Sequence, residues 1–79
     1  MILKQMHYDD KNKIVTYWTE GIASASMTYD EHWQANVLTM RFKGEKDPES
    51  LIIHDGDGVY LCNDEGKTVE VLSRLHTPA

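Results

Sequence analysis

Ala23-Ser24-Ala25-Ser26-Met27-Thr28-Tyr29-Asp30 is the stretch on which the fold turns. Apolar residues hold its odd positions and polar residues its even ones. Side chains alternate between two faces only along extended backbone, so the segment reads as a strand with one face to bury. The alternation returns at Trp33-Gln34-Ala35-Asn36-Val37, changes phase at Val37-Leu38 and continues as Leu38-Thr39-Met40-Arg41-Phe42-Lys43. Two such strands around Asp30-Glu31-His32 make a long hairpin, and the phase change predicts a β-bulge at Val37-Leu38. A short helix near 29–36 is the rival, because Thr28-Tyr29-Asp30-Glu31 matches a capping box. Tyr, Asp, His, Trp and Asn are mediocre helix formers and the segment spans barely two turns, so the hairpin is preferred.

Outward from this hairpin, turn signals recur at short and fairly even spacing. Strands are expected at about Ile2–Tyr8 and Ile14–Trp18, joined by Asp9-Asp10-Lys11-Asn12-Lys13. Thr19-Glu20-Gly21 then closes a hairpin, with Gly21 in a left-handed conformation; the alternative is one long strand kinked at Gly21. Beyond the polar connection Gly44–Ser50, short strands are expected at Leu51–His54, Val59–Cys62 and Thr68–Leu72. Asp55-Gly56-Asp57-Gly58 and Asn63-Asp64-Glu65-Gly66-Lys67 join them as tight hairpins. Seven strands exceed ordinary strand content, so one or two are expected to be lost. The end of the tail is expected to be loose, because Pro78 cannot extend a central strand. The fold class is all-β: a single domain over residues 1–79, an antiparallel meander forming a small barrel or a strongly curled sheet. The expected inner set is Met6, Val15, Tyr17, Ala25, Met27, Trp33, Leu38, Met40, Phe42, Ile53, Val59, Leu61, Val69 and Val71.

Composition narrows the function classes. At 79 residues, 41% apolar and 27% charged, the chain has the make-up of one small globular domain with a limited core. Its single cysteine, Cys62, forbids an internal disulfide and suits a reducing compartment, so a cytoplasmic location is expected. No apolar stretch approaches membrane-spanning length. The net charge is −5. Residues 1–46 are balanced. Beyond them, Lys67 and Arg74 face Asp47, Glu49, Asp55, Asp57, Asp64, Glu65 and Glu70. This acidic third disfavours direct binding to a nucleic-acid backbone, which needs clustered Lys and Arg.

Motifs for chemistry fail on inspection. Asp55-Gly56-Asp57-Gly58 departs from a calcium loop, with glycine at position four and Val59 at position five. Gly66-Lys67-Thr68 has Leu61 where a phosphate-binding loop needs glycine, and a strand follows instead of a helix. His7, His32, His54 and His76 show no zinc spacing. A hairpin closed by residues 55–58 would pair His54 with Val59 and set Cys62 opposite Leu51, about 10 Å from the imidazole. That is too far for a Cys-His nucleophile, and Cys62 reads as a small buried apolar residue. Tyr17 and Trp18 point to opposite faces, so one of them, Trp18, lies outside the main core.

These features describe a non-catalytic protein-binding module with neither cofactor nor metal. Two contact surfaces are expected. One is an acidic rim of Asp47, Glu49, Asp55, Asp57, Asp64 and Glu65, suited to a basic partner such as a nucleic-acid-binding host protein. A viral or mobile-element accessory protein acting as an inhibitor would fit that description. The other is the outer sheet face around Trp18, tryptophan being a frequent contact residue. Alternatives are a small-ligand or single-stranded nucleic-acid binder using the sheet face, with Lys11, Lys13, Arg41 and Lys43 supplying charge, or a homodimer built on a free strand edge.

Overall fold

The computed structural model describes residues 1–77, which are all β with no helix. The strands are β1 (Ile2–Tyr8), β2 (Ile14–Thr19), β3 (Ile22–Asp30), β4 (Ala35–Phe42), β5 (Glu49–Ile53), β6 (Gly58–Cys62) and β7 (Thr68–Ser73). All seven expected strands are present. They pair antiparallel as a four-stranded sheet, β2-β1-β6-β7, and a three-stranded sheet, β3-β4-β5. The sheets do not close into a barrel. Their inner faces meet over Leu3, Val59 and Leu61 from one side and Ile22, Leu38, Met40 and Ile53 from the other. Each such side chain contributes about 1.5–3 kcal/mol on leaving water.

The two sheets share a corner. The loop Thr19-Glu20-Gly21 does not close a hairpin: β2 pairs with β1, and β3 pairs with β4. The chain from Ile14 to Asp30 is instead one extended run, kinked at Gly21, whose φ is +78°. Met1 and Ile22 exchange two hydrogen bonds, each 2.9 Å from nitrogen to carbonyl oxygen. On the other side of the kink Lys43 donates to the Gly21 carbonyl at 2.9 Å. The Gly21 carbonyl and both backbone groups of Ile22 are therefore paired at the bend.

Two further expectations are corrected and a third, the hairpin preferred over a helix, is met. First, β4 pairs with β3 in unbroken register through Val37 and Leu38, so there is no bulge there; the extra residue is Ala23, between the pairs Ile22↔Phe42 and Ser24↔Arg41. Trp33 belongs to the turn, and Ala35 and Val37 lie on the outer face, which made the apolar phase seem to slip. Secondly, β5 and β6 do not form a hairpin: β5 joins β4, and β6 lies between β1 and β7. His54–Asp57 is a crossing between sheets, turned by the Asp57 N–H donating to the His54 carbonyl at 3.2 Å. Thirdly, residues 29–36 hold no helix. Asp30 Oδ1 instead caps the turn by accepting from the Trp33 N–H at 3.1 Å, and Gln34 takes a left-handed φ of 50°.

The β1–β2 and β6–β7 loops are built alike. In each, a leading Asp or Asn offers its side-chain oxygen to two later N–H groups: Asp9 to Lys11 and Lys13, and Asn63 to Glu65 and Lys67. The fourth residue is left-handed in both, Asn12 (φ 59°) and Gly66 (φ 84°). Asx acceptors and a left-handed fourth residue suit this loop length. Because β1 and β6 are antiparallel neighbours, the two hairpins stand in the four-stranded sheet as near-copies turned through a half-rotation.

Of the expected inner set, Leu38, Met40, Ile53, Val59 and Leu61 are buried, and Ala25, Met27 and Phe42 pack at the margin. Met6 and Val15 are half-buried, while Tyr17, Trp33, Val69 and Val71 are exposed. Tyr17 lies on the inner side of the four-stranded sheet, at an open cleft that it lines together with Leu51 and Ile53 of the smaller one. Val71 is paired with Tyr60 on the outer face, and Val69 is the unpaired extra residue between Leu61↔Glu70 and Cys62↔Thr68. Leu3, Ile22 and Cys62 complete the buried set.

Leu38 is fully buried at the middle of the smaller sheet, so Leu38→Ala should lower the unfolding free energy by about 2–5 kcal/mol in urea denaturation. Gln34→Gly should raise it by about 1 kcal/mol by relieving the left-handed backbone. An unchanged or lower midpoint for the glycine variant would contradict the turn described.

Candidate binding face

The register of the four-stranded sheet sets one residue from each strand in a row on its outer face: Trp18↔Lys4↔Tyr60↔Val71. Directly opposed residues on antiparallel strands lie close enough for their side chains to touch. The Lys4 ammonium lies over both neighbouring rings, 5.3 Å from the Trp18 centroid and 5.8 Å from that of Tyr60. Each such contact is worth about 0.5–1 kcal/mol at a solvent-accessible site. Trp18 is 53% exposed even so. Around this row lie Met6 beside Thr16 and Gly58, and Tyr8 beside Ile14. Among the described residues, no Asp or Glu occupies a facing position on this surface.

One border of the face is the chain after β7. The Leu75 N–H donates to Tyr60 Oη at 2.9 Å, the His76 N–H donates to the Gly56 carbonyl at 2.9 Å, and Ser73 Oγ donates to the Asp57 carbonyl at 2.9 Å. Gly58 admits this crossing. A Cβ there would stand 2.7 Å from Tyr60 Cε2 and 3.0 Å from Leu75 Cβ. The tail is thus held through His76, while the looseness expected at Pro78 lies outside the described residues.

The acidic rim divides. Cys62 pairs with Ile2 and Gly58 with Met6, so β6 runs from the Asp55/Asp57 end of the domain to the Met1 end. Asp64 and Glu65, in the β6–β7 loop, lie at the Met1 end; an Asp64 carboxylate oxygen is 3.5 Å from the Met1 nitrogen. Asp47 and Glu49 are at that end too, since β4 leaves the corner at Phe42 and Glu49 pairs with Met40. Lys43, Lys46 and Lys67 are interleaved with these four acids in the same loops. Asp55 and Asp57 stand at the opposite end, near the Asp9–Lys13 loop, beside a cleft of about 300 Å³ lined by Tyr8, Asp55, Gly56, Asp57, His76 and Thr77. The charge imbalance along the chain is therefore not one patch in space. Trp18 stands apart from both groups.

The supposed pairing of His54 with Val59 does not exist, because Val59 lies in β6 of the larger sheet and His54 begins the crossing that leaves β5. Cys62 is fully buried between Ile2 and Thr68, with its Sγ 3.9 Å from Thr68 Oγ1. Among the described residues, no three His, Cys, Asp or Glu side chains are grouped to hold a metal ion. A second concavity, of about 140 Å³, opens between the sheets where Tyr17 stacks on His7, with ring centroids 5.7 Å apart, above Leu51, Ile53 and Val59. Sequence reasoning found Trp18 but missed Lys4 and Tyr60. Joining them to Trp18 needs the β1–β6 register, which pairs segments distant in sequence.

Gly58→Ala should free the tail, raising hydrogen exchange at the Leu75 and His76 amides by about tenfold or more, as local opening demands. Retained protection at both amides would contradict the described crossing. Comparison with protein-family models, curated proteins and solved structures found no match for this chain.

Proposed function

We propose that this chain is a non-catalytic protein-binding module of the cytoplasm, acting as an accessory or inhibitory domain through the outer face of its four-stranded sheet. The observation that carries the reading is Trp18. A half-exposed tryptophan sits in a row with Lys4, Tyr60 and Val71, on a surface with no acid opposite it. Large aromatic side chains at the centre of an open face supply much of the energy of protein contacts. Ile14 and Val71 are further exposed apolar side chains on the same face. The acidic residues support this reading less well, because they are split between two ends and at one end are interleaved with lysines.

The test is a quantitative capture from the native host with three baits: wild type, Trp18→Ala, and a double variant carrying Asp55→Lys and Asp57→Lys. A partner bound by the wild type should be lost with Trp18→Ala, corresponding to about 2 kcal/mol or more in a direct titration, and kept by the double variant. Loss with the double variant and retention by Trp18→Ala would reverse the assignment, making an acidic surface the contact. Near-native far-ultraviolet dichroism should accompany both variants, since the substituted side chains lie outside the buried set.

A further inference from the structure

We propose that the partner received on the Trp18 face is an acidic protein segment, which sets a carboxylate on the Lys4 ammonium and apolar side chains on Trp18 and Val71. This rests on the protein-binding reading above and adds the chemistry of the partner. Lys4 is the single formal charge in the cross-sheet row, and no carboxylate of the described residues lies within ion-pair distance of it. In a chain of net charge −5, the row that carries the exposed tryptophan thus holds a cation and no acid.

The geometry makes Lys4 a prepared acceptor of an anion. Its ammonium carries three donors, and the two rings that flank it, at 5.3 and 5.8 Å, hold it electrostatically while using none of those donors in a conventional hydrogen bond. A long side chain already held between rings loses less freedom on binding than a free one. A carboxylate arriving there meets a charge whose local competitors are absent, and its apolar neighbours meet Trp18 on one side and Val71 on the other. Two other occupants fit less well. A phosphate backbone requires several clustered cations, and this row holds one. A second copy stacked about a two-fold axis through the row would set Lys4 against Lys4.

The test uses the whole chain, immobilised, and a phage-displayed library of random linear peptides, with selected peptides then titrated against wild type, Lys4→Glu, Lys4→Met and Trp18→Ala. Sedimentation of the wild type is run alongside. The expected result is enrichment of peptides combining Asp or Glu with large apolar residues. Their affinity should fall about tenfold or more with Lys4→Glu and with Trp18→Ala. With Lys4→Met, which keeps the apolar stem between the rings, the acidic peptides should weaken while the fold is kept, and fresh selection on Lys4→Glu should favour Lys or Arg. Enriched peptides that are basic, or that bind all four proteins equally, would overturn the acidic-partner inference and leave the protein-binding reading in place. Failure to enrich any peptide above an unrelated control protein would count against both. A wild type that sediments as a dimer, and whose dimer is lost with Trp18→Ala, would assign the face to a second copy and overturn the inference.

Discussion

The kink at Gly21 is the constraint on which the rest of the structure depends. One extended run, from Ile14 to Asp30, serves two sheets in turn. Without a bend it would carry β3 and β4 away from β1, and neither sheet would have anything to cover its apolar face. Gly21 takes the left-handed conformation without steric cost. The reciprocal Met1–Ile22 bonds and the Lys43 bond to Gly21 then keep the backbone paired through the corner. Ile22, the first residue after the bend, is fully buried. The corner is thus also where the core begins, and the extra residue at Ala23 gives the following side chains the parity that packs Ala25 and Met27 against its margin.

From that corner the division of surfaces follows. The smaller sheet covers only the part of the larger one around Leu3, Val59 and Leu61. The far end of the inner face stays open, which is why Tyr17 lies against His7 in a shallow cleft and not in the core. Among the described residues, the outer face of the larger sheet has no layer on it other than the chain after β7, which occupies the Gly58 side. The strip from Trp18 to Val71 is left uncovered. A domain of this size cannot bury every large side chain it carries; here those left outside fall into a row and share it with one cation.

Much of the fold was legible because alternation with a period of two is a strong signal. All seven strands, the hairpin across residues 31–34, and the loops at Asp9–Lys13 and Asn63–Lys67 follow from local chemistry: Asx acceptors, left-handed fourth residues, and apolar parity. What escaped was pairing between segments distant in sequence. Thr19-Glu20-Gly21 suits a hairpin loop as well as a kinked strand, and local residues do not distinguish them; the choice lies in whether β2 finds β1 or β3. The same holds for Asp55–Gly58, whose Asp-Gly pairs suit a tight turn whichever strands they join. The apparent slip at Val37-Leu38 misled because apolar residues lie on both faces of β4. The candidate site was half legible. Trp18 follows from its neighbour Tyr17 taking the other face, whereas Lys4 and Tyr60 join it only through the β1–β6 register. The acidic rim was a property of chain order that the topology disperses.

The most direct test of this architecture is the pattern of cross-strand proton contacts in solution by nuclear magnetic resonance. Contacts between Met1 and Ile22, together with contacts from the Trp18 indole to the Lys4 methylenes, are what the kinked strand requires. Contacts between Tyr17 and Ala23, as expected if β2 and β3 folded back on each other about Thr19-Glu20-Gly21, would contradict it and would remove the open face on which the binding proposal stands.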